Sequence, residues 1–389
     1  MSDRPDCFYG YRRENGRVGI RNHCLVVCIN GLTYQAARRA AVLVPGILFV
    51  GHPFGRGQVG NDAGFMADTV LGLSGNPNVG HVIVVSADRS SIAGLVEPLQ
   101  KAGQSAEGVS LQDVKEDSRQ LSERIVAMAA RALVRLSSQR REAFGAEHLF
   151  IGLQCGHSDY TSGLIANPVV GMVMDRINAA GGMVAFGETV EWLGGEHNLT
   201  RRAETPEIAA EIETALEQRI RYAIANGEDV TRHNPLPQNI AGGLTTTEEK
   251  ALGAIVKGGN APIRGVLAPA ECPSGRGLYL MDTPFFSPES LTCLVAGGAN
   301  LTVFTTGPGN SYCSSVAPTV KVSANPETCR ELTVQIDVAM DDATTGGITK
   351  DQAADRLYAH LLSVASGMQT FGEILGEDAE VIGRSGMSL

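Results

Sequence analysis

The chain has 389 residues, enough for two or three domains around a large core, and its composition is that of an ordinary globular protein. Its net charge of −10 argues against nucleic acid as the main partner, and no apolar run reaches the roughly 20 residues that span a bilayer, which argues against a membrane. The polar start MSDRPDCFYG does not read as a secretory signal, and the eight cysteines include no CxxC pair, so the expectation is free thiols in a reducing cytoplasm.

Gly10–Asn22, GYRRENGRVGIRN, is a cationic, Gly-rich opening. A strand is predicted over His23–Asn30, a helix over Thr33–Leu43 and a strand over Gly46–Gly51. Cys24 and Cys28 share one face of the first strand, an arrangement that belongs to a core more often than to a metal site. Val79–Ser86 is a continuous apolar run, as in a strand buried on both faces. Ser118–Ser138 reads as a long amphipathic helix. The charged stretch Ser137–Ala146 sets a boundary, giving an N-terminal unit over 1–140 and a C-terminal, catalytic unit over 141–389.

The second unit is predicted to have strands at Glu147–Leu153 and Gly182–Gly187 and helices at Pro168–Ala180, Pro206–Asn226 and Thr246–Lys257. Pro262–Asp282 reads as a loop. A helix (Pro288–Ala296), strands at Ala299–Thr305 and Pro318–Ser323, an ambiguous Pro326–Asp337 and a terminal helix (Lys350–Met368) follow. Strands alternating with helices give an α/β class, with mostly parallel sheets flanked by helices in two α/β domains.

Candidate chemistry clusters in a few loops. Gly152–Gly171 gathers Cys155, His157, Ser158 and Asp159 between a strand and a helix, where open α/β sheets build sites. Gly51–Gln58 (GHPFGRGQ) offers His52 and Arg56 at a Gly-rich turn, and a guanidinium fork there suits a carboxylate, phosphate or sulfonate. Gly187–Thr205 carries Glu188, Glu191, Glu196 and His197, types that suit Fe²⁺ or Mn²⁺, though no pair has a diagnostic spacing and a charged helix start reads the same way. Thr245–Glu248 is a capping-box pattern whose helix N-terminus could face an anion. FTTGPGN, from Phe304, is neither a Walker A loop nor a dinucleotide fingerprint, so no nucleotide is expected.

Taken together, GYRRENGRVGIRN, GLQCGHSDYTSGLIANPVVG, ETVEWLGGEHNLTRRAE, GGLTTTEEKALGAIVKGG, LMDTP and VFTTGPG resemble the altronate/galactarate dehydratases, in the same order from about Gly10 to Asp341. Two departures bear on substrate. Arg56 stands where that family has Cys, and His157 stands where it has the second Gly of Gly-Gly-Ser-Asp. The small N-terminal domain fused to the single-chain dehydratases is also missing from the match, which implies a separate small (alpha) subunit beside a homo-oligomer of this large one.

The resemblance implies a lyase that performs metal-assisted β-elimination on a small anionic 2-hydroxy acid. With Arg56 as a second anion binder, the expected substrate is (2R)-3-sulfolactate, giving pyruvate and sulfite. A sugar acid such as altronate or galactarate, and a non-catalytic ligand-binding subunit, are the alternatives. A proton α to a carboxylate is weakly acidic, so the enediolate needs electrostatic stabilisation and a base of matched pKa. In this reading His157 or His197 is the base, with Cys155 and Asp159 completing the catalytic set. Arg56, supported by Arg17 or Arg21, binds sulfonate; Thr305 and Thr306 hold the carboxylate with the Gly307–Gly309 turn; Ser158 and His52 also touch substrate. Glu188, Glu196, His197 and His52 are the candidate ligands for Fe²⁺, with Mn²⁺ or Mg²⁺ as substitutes, and Asp282 supports them.

Overall fold

A computed structural model describes residues 7–55, 57–230 and 234–384. The chain opens with β1 (Cys7–Arg12) and β2 (Val18–Gly19). The strands β3 (His23–Cys28), β4 (Ile47–Gly51), β5 (Val79–Ser86) and β6 (Ala106–Ser110) form a parallel sheet in the order β4-β3-β5-β6. β7 (Glu142–Gly145) returns antiparallel to β1. A second, all-parallel sheet takes β8 (Phe150–Cys155), β9 (Met183–Phe186), β10 (Ile263–Leu267), β11 (Gly277–Met281), β12 (Leu301–Thr305), β13 (Thr319–Ser323) and β14 (Val338–Ala339) in the order β10-β11-β9-β8-β12-β13-β14. Helices flank both sheets, so the fold is the expected α/β type.

Local sequence explains these elements. β5 occupies the predicted residues, and all of it except Gly80 is buried between β3 and β6. The helix Ser118–Ser137 starts where the Asp117 side chain accepts from the backbone N–H of Arg119 and Gln120. Its Leu121, Ile125, Met128, Ala132 and Leu136 recur at helical spacing and bury against the first sheet. Each large side chain in that stripe contributes roughly 1.5–3 kcal/mol relative to exposure.

The structure corrects several expectations. The stretch read as a loop from 262 to 282 contains β10 and β11. β10 lies at the sheet edge with Arg264 exposed and its register shifting, so it has no apolar run to read. β7 falls on the second unit's side of the expected boundary, and its Phe144 packs with Phe8, Val18 and Ile20 into the core of the second sheet. The Thr246–Glu249 pair caps the helix Thr247–Ile255, one residue later than the pattern suggested. The terminal helix ends at Ala365 and a short helix, Phe371–Leu375, follows it.

The two sheets are joined through buried polar and close-packed contacts. The Asn76 and Asn78 amides donate to the carbonyls of Val295, Ala299, Asn300 and Val316. The helix Asn61–Ser74 packs along the helix Ser287–Ala296. A Cβ at Gly72 would lie 2.3 Å from the Ala296 carbonyl oxygen, so only glycine permits the approach. Phe65 and Glu289 meet at Gly383, near the other end. The helices therefore run side by side, and their starts lie at the same end.

Candidate active site

β8 is the first strand of the large sheet. The chain builds β9, β10 and β11 on one side of it, then crosses to β12 on the other. This reversal opens a crevice at the carboxyl ends of the strands, the usual ligand position in an open α/β sheet. A cleft of about 710 Å³ lies there. Cys155 to Ser158 after β8, Glu188 and Glu191 after β9, Phe285 to Pro288 at the start of a helix, and Pro308 to Tyr312 after β12 line it. Lys250 reaches it from the helix Thr247–Ile255.

The floor of the cleft is a buried charged network. The Cys155 thiol donates to Glu191 Oε2 at 3.2 Å and accepts from Lys257 Nζ at 3.2 Å. Lys250 Nζ lies 3.2 Å from Glu191 Oε1 and donates to Asn234 Oδ1 at 2.6 Å, while Lys257 Nζ lies 3.9 Å from Glu191 Oε2. Ser287 Oγ donates to Glu188 Oε1 at 2.9 Å. The Glu188 N–H donates to Thr283 Oγ1 at 2.6 Å. A Cβ at Gly187 would sit 2.2 Å from that same hydroxyl oxygen, so glycine is needed there.

The two carboxyl groups are driven apart. Burial first, and the Glu191 charge second, hold Glu188 well above the usual carboxylate range. Burial would raise Glu191 too, but the Lys250 and Lys257 ammoniums outweigh it and hold its carboxyl low. Burial, then the neighbouring Glu191, push the Cys155 thiol up to about 12. Burial opposes the charge on Lys257, but Cys155 and Glu191 more than offset it and raise its pKa. The shifts thus favour the protonated acid at Glu188, the thiol at Cys155, the carboxylate at Glu191 and the ammonium at Lys257. Pairs of titratable groups with diverging pKa values mark functional sites.

Two residues of this cleft are strained. His157 and Glu188 have φ of 56° and 57°, a left-handed backbone that a side chain disfavours. His157 is exposed in the cleft, and its Nδ1 lies 3.0 Å from the Gly309 carbonyl oxygen. A carbonyl can only accept, so Nδ1 carries a proton, and in the neutral imidazole Nε2 is then the acceptor. Ser158 Oγ is buried at the cleft without a hydrogen-bond partner.

Of the residues expected to form the site, the structure gathers Cys155, His157, Ser158 and Glu188 in this cleft. The others lie elsewhere. Asp159 accepts from Thr161, Ser162 and Asn325 and so ties the loop together from below. Thr305 Oγ1 donates to Asn167 Oδ1, Thr306 Oγ1 accepts from the Gly309 N–H, and the Gly307 N–H donates to the His157 carbonyl. That turn therefore has both glycine N–H groups and the Thr305 O–H engaged, while the Thr306 hydroxyl oxygen accepts. Arg21 donates to Glu373 and to the carbonyls of Ile20, Val364 and Met368, using all five of its N–H groups. Arg17 bridges the carbonyls of Gly75 and Gly298. Arg56 lies outside the described residues.

The proposed metal ligands are not assembled. His52 is buried in a separate hollow, Glu196 accepts from the Gly194 N–H, and His197 is exposed on the short helix Glu196–Thr200. Among the described residues no three His, Cys, Asp or Glu side chains are placed to hold an ion. Where carboxyl groups do meet, at Glu188 and Glu191, two ammoniums already face Glu191 and would repel a divalent cation. The residues present do not fit a metal at that position. Asp282 is paired with Arg219 and Thr189 instead.

Sequence reasoning missed Lys250 and Lys257. The available signal was their spacing: Lys250 on the helix Thr247–Ile255 and Lys257 on the 3-10 turn Val256–Gly258 that continues it are seven residues apart, a helical spacing shared with the buried Ala251 and Ala254. Lysine is almost never fully buried unless paired, so two lysines within an apolar stripe imply buried acidic partners.

The fold is α/β, the cleft gathers a buried charged network, and the matching proteins are named as lyases and dehydratases. The chain belongs to the D-galactarate/altronate dehydratase family: the family's second domain matches residues 10–137 and its C-terminal domain matches 146–388. It is 36% identical to the (2R)-sulfolactate sulfo-lyase subunit beta of Chromohalobacter salexigens, over 97% of each chain. It is 31% identical to an altronate dehydratase of Bacillus subtilis, over 92% of this chain and 74% of that one. A galactarate dehydratase (L-threo-forming) of Escherichia coli is 34% identical over 79% of this chain and 60% of its own length. No helix among the described residues is long and apolar enough to cross a membrane.

Proposed function

We propose that this chain is the large subunit of a lyase that eliminates sulfite from (2R)-3-sulfolactate, working with a separate small subunit. The observation that carries the reading is the end-to-end match to a sulfo-lyase beta subunit, 97% of both chains, where the dehydratases above are matched over 74% and 60% of their length. Two lysines gathered around one buried carboxyl group at the cleft floor, Lys250 and Lys257 at Glu191, suit an anionic substrate in a protein of net charge −10.

In the reaction a base takes the proton from C2 and the C2=C3 bond forms. The C3–S bond breaks with its electron pair going to sulfite, and the enol that remains takes a proton on C3 to become pyruvate. His157 Nε2 is the base in this reading, oriented by the Gly309 carbonyl. Glu188, whose pKa burial holds well above the usual carboxylate range, donates a hydrogen bond to the substrate carboxyl group in this reading. Ser158 Oγ supplies another polar contact. Arg56 takes the sulfonate, an assignment that rests on the replacement of the family's Cys. The helix Asn61–Ser74, which follows the Arg56 loop, begins at the same end as the helix Ser287–Ala296 whose first residues line the cleft.

The test mixes this chain with its candidate small subunit and (2R)-3-sulfolactate, with and without Fe²⁺ or Mn²⁺, and follows pyruvate and sulfite together. Equimolar release of the two is expected. Formation of a 2-keto-3-deoxy acid from altronate or galactarate, with no sulfite from sulfolactate, would overturn the reading and make Arg56 a carboxylate binder.

A further inference from the structure

We propose that Lys250 is a catalytic residue of this cleft: its ammonium carries the negative charge that develops when the substrate loses its C2 proton, and Lys257 is the positioning residue beneath it. The inference rests on the lyase reading above and extends it to two residues that neither the sequence motifs nor the family match assign.

The geometry is specific. Lys250 lines the cleft, yet its side chain is almost wholly buried, so its charge acts in a medium that screens it poorly. Two of its three N–H groups go to Asn234 Oδ1 and Glu191 Oε1, which fixes the ammonium; the third has no partner among the described residues. The Phe285 ring lies 5.0 Å from Nζ and keeps that side of the charge from water. His157 lines the same cleft, so a base and a fixed cation border one space. Lys257 does not line the cleft. It contacts the Cys155 thiol and Glu191 and packs 5.2 Å from the Phe186 ring, so it acts through those groups.

The step balances. The C2–H electron pair moves into the carboxylate as the proton passes to His157 Nε2, giving an enediolate with one more negative charge on its oxygens. Lys250 Nζ keeps its protons and donates a hydrogen bond to one of those oxygens. The pair then returns to form C2=C3 as the bond from C3 to the leaving group breaks. A preorganised donor of this kind, absent from bulk water, typically contributes about 10²–10³ to kcat.

The experiment compares wild type, Lys250→Met, Lys250→Arg, Lys257→Met and the double variant Lys250→Met/Glu191→Gln, each in the complex with the small subunit. The substrate is whichever 2-hydroxy acid wild type turns over. Lys250→Met is expected to lower kcat by about 10²–10³ with a much smaller change in KM, and deuterium at C2 is expected to slow it by a larger factor than wild type, because proton removal becomes limiting. Lys250→Arg recovers part of the rate, while Lys257→Met lowers thermal stability and reduces kcat less. The double variant removes the Lys250 charge together with the carboxylate it pairs with, leaving Lys257 as the remaining buried charge, so it carries the test if Lys250→Met alone fails to fold. A folded variant without the Lys250 charge that keeps kcat within about threefold, or one slowed with no isotope effect, overturns the inference. If wild type releases no sulfite but dehydrates a sugar acid, the substrate reading fails while Lys250 is still decided on that acid. If wild type binds these acids and turns over none, both fall.

Discussion

The carboxyl ends of the two parallel sheets offer the same architecture with opposite content. Behind β3, β4 and β5 lies a hollow of about 290 Å³ lined by Ile29, His52, Gly55, Gln58, Met66 and Leu95 among others. Its His52 is buried with Nδ1 unpartnered, stacks on Phe54 and has its pKa lowered by burial. Behind β8, β9 and β12 the chain instead places two carboxyl groups, two ammoniums and a thiol. It also holds His157 and Glu188 in left-handed backbone, which no described non-glycine residue of the hollow adopts. A shared fold thus says little about chemistry, which resides in the loops that follow particular strands. The comparison also shows why the hollow matters at all: the helix that starts beside it begins level with the helix that starts at the cleft.

The largest effect that could break this contrast is on stability. Glu191→Ala leaves Lys250 and Lys257 buried without their carboxylate, and removing one partner of a buried ion pair typically costs about 3–5 kcal/mol. His52→Ala removes a buried ring with an unpartnered nitrogen and is expected to cost less than half as much. Denaturant unfolding of both variants measures this. Equal losses would mean the cleft is no more committed electrostatically than the hollow.

The next pair acts on turnover. His157 is exposed, so His157→Ala is expected to leave the fold intact and lower kcat by roughly 10²–10⁴, the range of a lost general base. Arg56→Ala is expected to abolish turnover of sulfolactate, also without unfolding. Steady-state kinetics on both variants sharpen the comparison. If Arg56→Ala is silent while His157→Ala is not, the first sheet contributes structure only and the substrate belongs wholly to the cleft.

How much of this was legible depended on what each feature requires of its neighbours. β5 and the helix Ser118–Ser137 were readable because burial imposes a local pattern on them, a continuous apolar run in one and a helical stripe in the other. β10, half of it a charged and glycine-broken edge, carries no such pattern. The loop after β8 was readable as a candidate site because polar types crowd between a strand and a helix, and Cys155, His157 and Ser158 do line the cleft. The chemistry of Arg21, Asp159 and Thr305 was not readable. Their hydrogen-bond partners, Glu373, Asn325 and Asn167, lie 138 or more positions away, so only the fold reveals that their capacity is already used. The lysines were hidden for the same reason, since Glu191 and Lys257 belong to different segments that meet only at the sheet's end.

The smallest effect expected is a pH dependence arising outside the cleft. Glu380 accepts from Ser314 Oγ, from the N–H groups of Ser315 and Val316, and from Thr292 Oγ1 on the helix Ser287–Ala296. Burial raises its carboxyl to about 7, even against those hydrogen bonds. An unfolded Glu titrates near 4.5, so between about 4.5 and 7 the unfolded chain has lost a proton that the folded chain keeps. Stability therefore falls as pH rises through that window and levels off above it, by up to about 3 kcal/mol for this group. Glu188, raised for the same first cause, adds to the fall as pH rises, whereas Glu191, held low by two ammoniums against its own burial, loses its contribution as pH falls. Glu380→Gln carries no titrating group, and whatever the substitution costs is the same at every pH, so its stability should be flatter than wild type between pH 5 and 7. Urea midpoints at pH 5, 6, 7 and 8 for both proteins provide the measurement. Parallel curves would mean Glu380 is already ionised in the folded chain at pH 5.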